Sequence, residues 1–150
     1  MSNSMKSNST RMAMLLLLIW AGMILGISFL ATPVKFTAPS LTLPAGVDVG
    51  RHVFAVFDNV QWLIIALLVL VSLRYSSSGM IRWLPLIVFM QIMQSAWLLP
   101  TLNQQALDII AGQKPQVGHF HVIYGVIELC KLLTVLALAW FLLTLEECNS

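Results

Sequence analysis

Charge is scarce in this chain. Only 9% of its 150 residues are Asp, Glu, Lys or Arg, against about 25% in an average soluble domain. Hydrophobic residues make up 59%, and the mean hydropathy is +0.88. A soluble fold of this length has too little polar surface to cover so much apolar area, whereas a bilayer removes the need. The net charge of +2, without a basic cluster or basic–aromatic interleaving, excludes nucleic acid as a partner. Cysteine is scarce too, and no CxxC occurs. Cys130 and Cys148 would lie about 27 Å apart along a helix, too far for a disulfide. No nucleophile elbow, phosphate loop or HExxH is present. Asp58 and Glu128 could form an acid/base pair, but nothing specifies a substrate, so the chain reads as non-enzymatic.

What the chain has is long apolar runs. Four stretches reach the roughly 17–25 residues that cross a bilayer: Met12 to Ala31, about Val53 to Leu73, Trp83 to Leu99, and about Val122 to Leu145. The expected fold class is all-α, an integral membrane four-helix bundle. Its helices are placed at about 12–32, 45–74, 82–100 and 119–146, with Pro33 and Pro100 as stops for helices 1 and 3. These form a single domain over 12–150, after a Ser/Asn-rich segment, 1–11, expected to be disordered. Pro44 suits a first helical turn. A short interfacial helix is expected around Leu102 to Ala111, and a Ser-rich tight turn at 75–79. Helix 1 could instead be a signal peptide, with Lys6 and Arg11 as its positive region. Its apolar run is too long for that, and no small-x-small site follows.

With four spans, both termini share a side with Lys6, Arg11, Arg74 and Arg82; Lys35, Arg51 and Lys114 fall on the other. Arg74 and Arg82 flank a short loop, where positive residues mark the cytoplasm most reliably. The expected location is a multi-pass protein of the bacterial inner membrane with both termini cytoplasmic. The expected partner is the lipid bilayer, with a homo-oligomer or a larger membrane complex as further options. Gly22 and Gly26 form a Gly-x-x-x-Gly that suits close helix packing, within the bundle or between protomers. Trp20, Trp62, Trp83, Trp97 and Trp140 suit interfacial belts.

The polar residues inside the spans are not scattered. Asp58, Asn59 and Gln61 lie early in helix 2. Gln91, Gln94 and Ser95 lie in the middle and outer part of helix 3. His119, His121, Glu128 and Lys131 lie in the outer half of helix 4, whereas 64–73 and 135–143 are almost purely apolar. A polar cavity in the outer half, closed by an apolar inner half, is the expectation. Ionisable residues inside a span are costly and tend to mark functional sites. Lys131, one turn after Glu128, is the strongest clue. The pair is either a neutralised structural contact that sets register or part of a site for a proton, ion or polar headgroup. Asp58, Gln61, Gln91, Gln94, Glu128 and Lys131 are the candidate ligand-binding residues.

His52, His119 and His121 are candidate metal ligands, with Asp58 or Glu128 adding an oxygen. Alternatively His52 and His121 hold a haem b or engage a quinone, or all three are solvated interfacial histidines. The halves of the chain also hint at a repeat: helices 1 and 3 each end at a proline, and each return helix opens with His-Val and reaches an acid about two turns later. Two parallel hairpins about an axis along the membrane normal would look this way.

Three segments carry a family resemblance: GISFLATPVKF, GRHVFAVFDNVQWL and LNQQALDIIAG…HFHVIYGVIELCKLL. They resemble the small four-helix membrane family that includes transmembrane protein 205. The shared pattern is a Gly-rich first helix with a Pro-x-x-Phe exit, here Pro33, Val34, Lys35 and Phe36. The last helix opens with Phe-His, an aromatic and a Gly, here Phe120, His121, Tyr124 and Gly125. Where that pattern has an amide near the middle of helix 4, this chain has Glu128 and Lys131. The resemblance implies a fold more than an activity. The functional expectation is a binding or transport component for a small solute, ion or metal. The alternatives are a redox protein carrying haem or using quinone, and a structural subunit of a membrane complex.

Overall fold

A computed structural model describes residues 3–75, 78–113 and 119–147. Those residues are almost entirely helical and form four long rods. Helix 1 is α-helical over Asn3–Met23, widens to a π-helix over Ile24–Ala31 and closes with an α-turn over Thr32–Lys35. Helix 2 spans Leu43–Tyr75. Helix 3 is α over Ser78–Met93, π over Gln94–Leu98 and α again over Leu99–Ile110. Helix 4 spans Phe120–Glu147. Each contains a stretch long and apolar enough to cross a membrane: Asn8–Lys35, Leu43–Arg74, Met80–Ile110 and Phe120–Leu145. The protein is thus an all-α four-helix bundle with the character of a multi-pass membrane protein.

Several boundaries differ from the sequence expectation, each for a physical reason. Helix 1 starts at Asn3 rather than near Met12. Pro33 and Pro100 do not end their helices. In each case a π segment precedes the proline, which sits in the first turn of a renewed α-helix. A proline inside a helix removes an N–H and clashes with the carbonyl four residues back. Widening the preceding turn relieves the clash. The Thr32 backbone N–H and its hydroxyl (2.8 Å) then both donate to the Ile27 carbonyl. Consequently the expected interfacial helix after Pro100 is the continuation of helix 3. It ends at Gly112, whose φ of 81° lets Gln113 N–H donate to Asp108 O (3.0 Å) and Gly112 N–H to Ile109 O (3.1 Å), a Schellman closure. The expected tight turn at 75–79 falls partly outside the described residues, at 76–77.

Helix 1 packs against helices 2 and 4, and helix 3 packs against the same two. Its core at the end carrying the termini is apolar: Leu17, Leu68, Met80, Leu84, Val135, Leu138 and Leu142 are all buried. The apolar stretches 64–73 and 135–143 supply part of it. Outward faces are equally apolar, as lipid requires: Leu15, Val56, Leu63, Phe89 and Leu133 are exposed. Trp20 departs from the belt expectation, since it is fully buried. Gly22 and Gly26 pack against no other helix: a Cβ at either would meet nothing within 4 Å.

The two halves repeat one arrangement. Ser28 lies five residues before Pro33, and Ser95 five before Pro100. Ser28 donates to Glu128 across the helix 1–helix 4 contact (3.4 Å), and Ser95 donates to Asp58 across the helix 3–helix 2 contact. Phe54 and Tyr124, each four residues before its acid, meet edge to face at 5.3 Å. Partners thus exchange between halves, as a two-fold relation along the bundle axis requires.

Candidate functional site

The polar residues of the spans converge on one cluster. The Lys131 ammonium is fully buried and is held by three groups: Glu128 Oε2 at 3.0 Å, Gln91 Oε1 at 2.8 Å and Gln94 Oε1. The Trp20 ring lies 5.9 Å away. An ammonium has three N–H donors, and all three are matched. Glu128 is also fully buried. Its Oε2 accepts a bond from Gln94 Nε2 at 2.6 Å, and its Oε1 the longer one from Ser28. The i, i+3 spacing on one helix brings acid and base together, and helix 3 supplies the amides that complete the shell.

Gln91 links this pair to a second acid. Its Nε2 donates to Asp58 Oδ1 at 2.8 Å and, more weakly, to Ser95 Oγ at 3.3 Å. Ser95 Oγ donates to Asp58 Oδ1 and accepts from Trp62 Nε1 at 2.9 Å. A single hydrogen-bonded chain therefore runs Asp58–Gln91–Lys131–Glu128, with Gln94 bridging its far end. Two carboxylates and one ammonium give it an odd charge count. Removing an unpaired charge from water is expensive, and this saturation by amides, hydroxyls and indole N–H offsets that cost.

Five of the six sequence-chosen ligand residues, Asp58, Gln91, Gln94, Glu128 and Lys131, belong to this chain of bonds. Gln61 does not. It occupies the position in helix 2 that Lys131 occupies in helix 4, three residues after the acid. Its Oε1 accepts from Trp20 Nε1 at 3.1 Å, but its buried Nε2 has no hydrogen-bond partner among the described residues. The reason is register: helix 1 has Ile24 and Ile27 where helix 3 has Gln91 and Gln94. Sequence reasoning missed Ser28, Trp20 and Trp62 as members. The only available signal was that Ser28 mirrors Ser95 relative to the prolines.

Above the cluster, at the end of the bundle opposite the termini, lies a half-open cavity of about 580 Å³. Helices 1 to 4 all line it. Ser95, Phe54 and Tyr124 belong to the part nearest the cluster. Val47, Leu99, Leu102 and Ile109 give it apolar walls, and Lys35, Arg51 and His121 add basic groups. Ser95 joins the two features, since it lines the cavity and is bonded to Asp58.

The three candidate histidines are not brought together. His121 lines the cavity, but His52 does not. The His52 ring is exposed and turns back to its own helix, with Nδ1 2.9 Å from the Asp48 carbonyl. His119 is exposed. Among the described residues no three His, Cys, Asp or Glu side chains come together to hold a metal ion. The trio fails because His52 and its neighbour Arg51 face different ways on one helix, and Arg51 is the one that faces inward.

Comparison of the chain with protein-family models, with curated proteins and with solved structures finds no match.

Proposed function

We propose that the protein is a small multi-pass membrane protein that binds a small solute in the cavity and reads its presence through the buried charge cluster. The observation that carries this reading is the position of Ser95, on the cavity wall and bonded to Asp58. Buried charge in a span is costly and tends to be kept for ion or solute handling. The cavity's volume of about 580 Å³ falls in the range of about 300–1,000 Å³ typical of small-molecule sites. The apolar core below it favours a binding component, or one state of a transporter, over an open pore. Orientation rests on Arg74 and Arg82 at the short-loop end. They favour cytoplasmic termini, so that the cavity faces outward, and the likeness to the transmembrane protein 205 family accords with this architecture.

Ala55 lines the cavity without entering the cluster, so Ala55→Trp fills the space and leaves the charges in place. Native mass spectrometry of the full chain, released from its own membrane, supplies the test. Wild-type protein is expected to carry a small-molecule adduct that Ala55→Trp lacks. Identical adduct patterns in both proteins would refute solute binding.

A further inference from the structure

We propose that the occupant of the cavity is a single-chain amphipathic anion, with its carboxylate or phosphate head held by Lys35, Arg51 and His121. The inference rests on the solute-binding reading and adds the chemical class of the solute.

Charge argues first. The cavity wall includes three basic side chains and no carboxylate. Arg51 is tied through Nε to Asp48 at 2.6 Å. This fixes its planar fork and leaves its two terminal nitrogens without a partner among the described residues. The Lys35 ammonium has neither a hydrogen bond nor an ion pair among the described residues. It rests 4.9 Å from the Phe36 ring centre. Gly50 makes room for it, because a Cβ there would collide with the Lys35 Nζ. Arg51 has Asp48 as its counter-ion, but no carboxylate lines the wall beside Lys35 and His121, and basic groups in excess on a half-open wall are complementary to an anion.

Apolar surface argues second. Apart from these heads most of the wall is apolar, including Val47, Phe54, Leu102 and Ile109, with Thr32, Ser95, Asn103 and Gln105 as its polar members. A fully hydrated inorganic anion gains nothing from such walls, whereas an alkyl or isoprenoid chain does. The volume accommodates one chain and is small for a two-chain phospholipid. Depth argues third. Helix 2 has 33 residues, about 50 Å at 1.5 Å per residue, against a hydrocarbon core of about 30 Å. With Arg74 at one interface, the other edge of the core falls near Phe54. Lys35 and Arg51 then lie at headgroup level, where an amphiphile presents its charge.

The test uses the full chain in phosphatidylcholine nanodiscs, titrated by calorimetry against empty nanodiscs. Dodecanoate and dodecyl phosphate are expected to bind at one site per chain. Dodecyltrimethylammonium and inorganic phosphate are expected to show no such site. Lys35→Met and Arg51→Gln should each weaken dodecanoate binding about tenfold, the usual scale for losing one charged hydrogen-bond donor. Circular dichroism confirms that each variant is helical; if one variant fails to fold, the other still decides. Equal binding of the cationic amphiphile, equal binding of inorganic phosphate, or unchanged affinity in both variants would overturn the inference. Loss of dodecanoate binding when the nanodisc lipid is phosphatidylglycerol would also overturn it, because the site would then take a bilayer phospholipid. If neither anion binds while the adduct blocked by Ala55→Trp persists, the anion class fails and the solute-binding reading stands. If the adduct is absent but both anions bind as expected, the cavity's ligand class stands and its occupation in the native membrane fails.

Discussion

Replacing Lys131 by Met removes an ammonium that the bundle surrounds completely. Met fills a similar volume, so the change isolates charge from packing. Three partners lose their donor at once: Glu128 at 3.0 Å, Gln91 at 2.8 Å and Gln94. Glu128 keeps Gln94 Nε2 and Ser28, but its charge is left uncompensated. Breaking a buried pair by removing one partner costs about 3–5 kcal/mol. Each orphaned acceptor adds about 1–3 kcal/mol, reduced because the glutamines can rotate and Glu128 can take up a proton. A net loss of about 3–5 kcal/mol is expected for Lys131→Met. Glu128→Gln strands the ammonium instead, and should lose less, about 2–4 kcal/mol, because an amide oxygen still accepts from it. The double variant strands neither member of the Glu128–Lys131 pair and should recover at least about 2 kcal/mol relative to the sum of the single losses. Reversible unfolding of the full chain in mixed micelles, followed by circular dichroism, measures all three. A Lys131→Met protein as stable as wild type would mean that the ammonium is not held as described.

Other expectations follow from single positions. Gly22→Ala should leave the bundle unchanged or stabilise it by up to about 1 kcal/mol, since alanine favours helix and the new Cβ meets nothing within 4 Å; a thermal melt showing a clear loss would reveal a packing partner there. Gln61→Leu should change stability by less than about 1 kcal/mol, because losing the Trp20 acceptor is offset by removing the orphaned Nε2, whereas Gln94→Leu, which strips both Lys131 and Glu128, should lose about 3 kcal/mol or more; equal losses in micelle unfolding would contradict the difference. In a background with Cys130 and Cys148 replaced by Ala, Ser40→Cys and Gln113→Cys should react with an impermeant thiol reagent added to intact cells, and a cysteine at Arg82 should not; the reverse pattern inverts the topology.

Much of this architecture was legible in the sequence. Four apolar runs dictate four spans because lipid solvates only segments whose backbone is internally bonded. The convergence of Asp58, Gln91, Gln94, Glu128 and Lys131 was legible for the same reason: polar side chains in a span have only one another to meet. What was hidden depended on geometry that composition does not encode. Pro33 and Pro100 looked like stops because the rule for proline assumes a regular α-helix, and a π turn cancels its clash. Trp20 and Trp62 looked interfacial because tryptophan favours that depth, yet each donates its indole N–H to another helix, Trp20 to the buried Gln61 and Trp62 to the half-buried Ser95. The different places of Arg51 and His52 follow from a one-residue step, which rotates a side chain by about 100° around a helix. That step takes His52 out of the cavity and puts Arg51 into it. Lys35 was read only as a topology marker, since nothing in the sequence places it against Gly50.

The most direct test of a solvent-open cavity above the charge cluster compares two neighbours on helix 2. Ala55 lines the cavity, and Val56 is exposed on the outer, lipid-facing surface. In the same cysteine-free background, reconstituted in bilayers, Ala55→Cys should react rapidly with a small charged thiol reagent applied from the cavity side. Val56→Cys should remain unlabelled. Equal labelling of both, or an inert Ala55→Cys beside a reactive Val56→Cys, would contradict a water-accessible cavity at that depth.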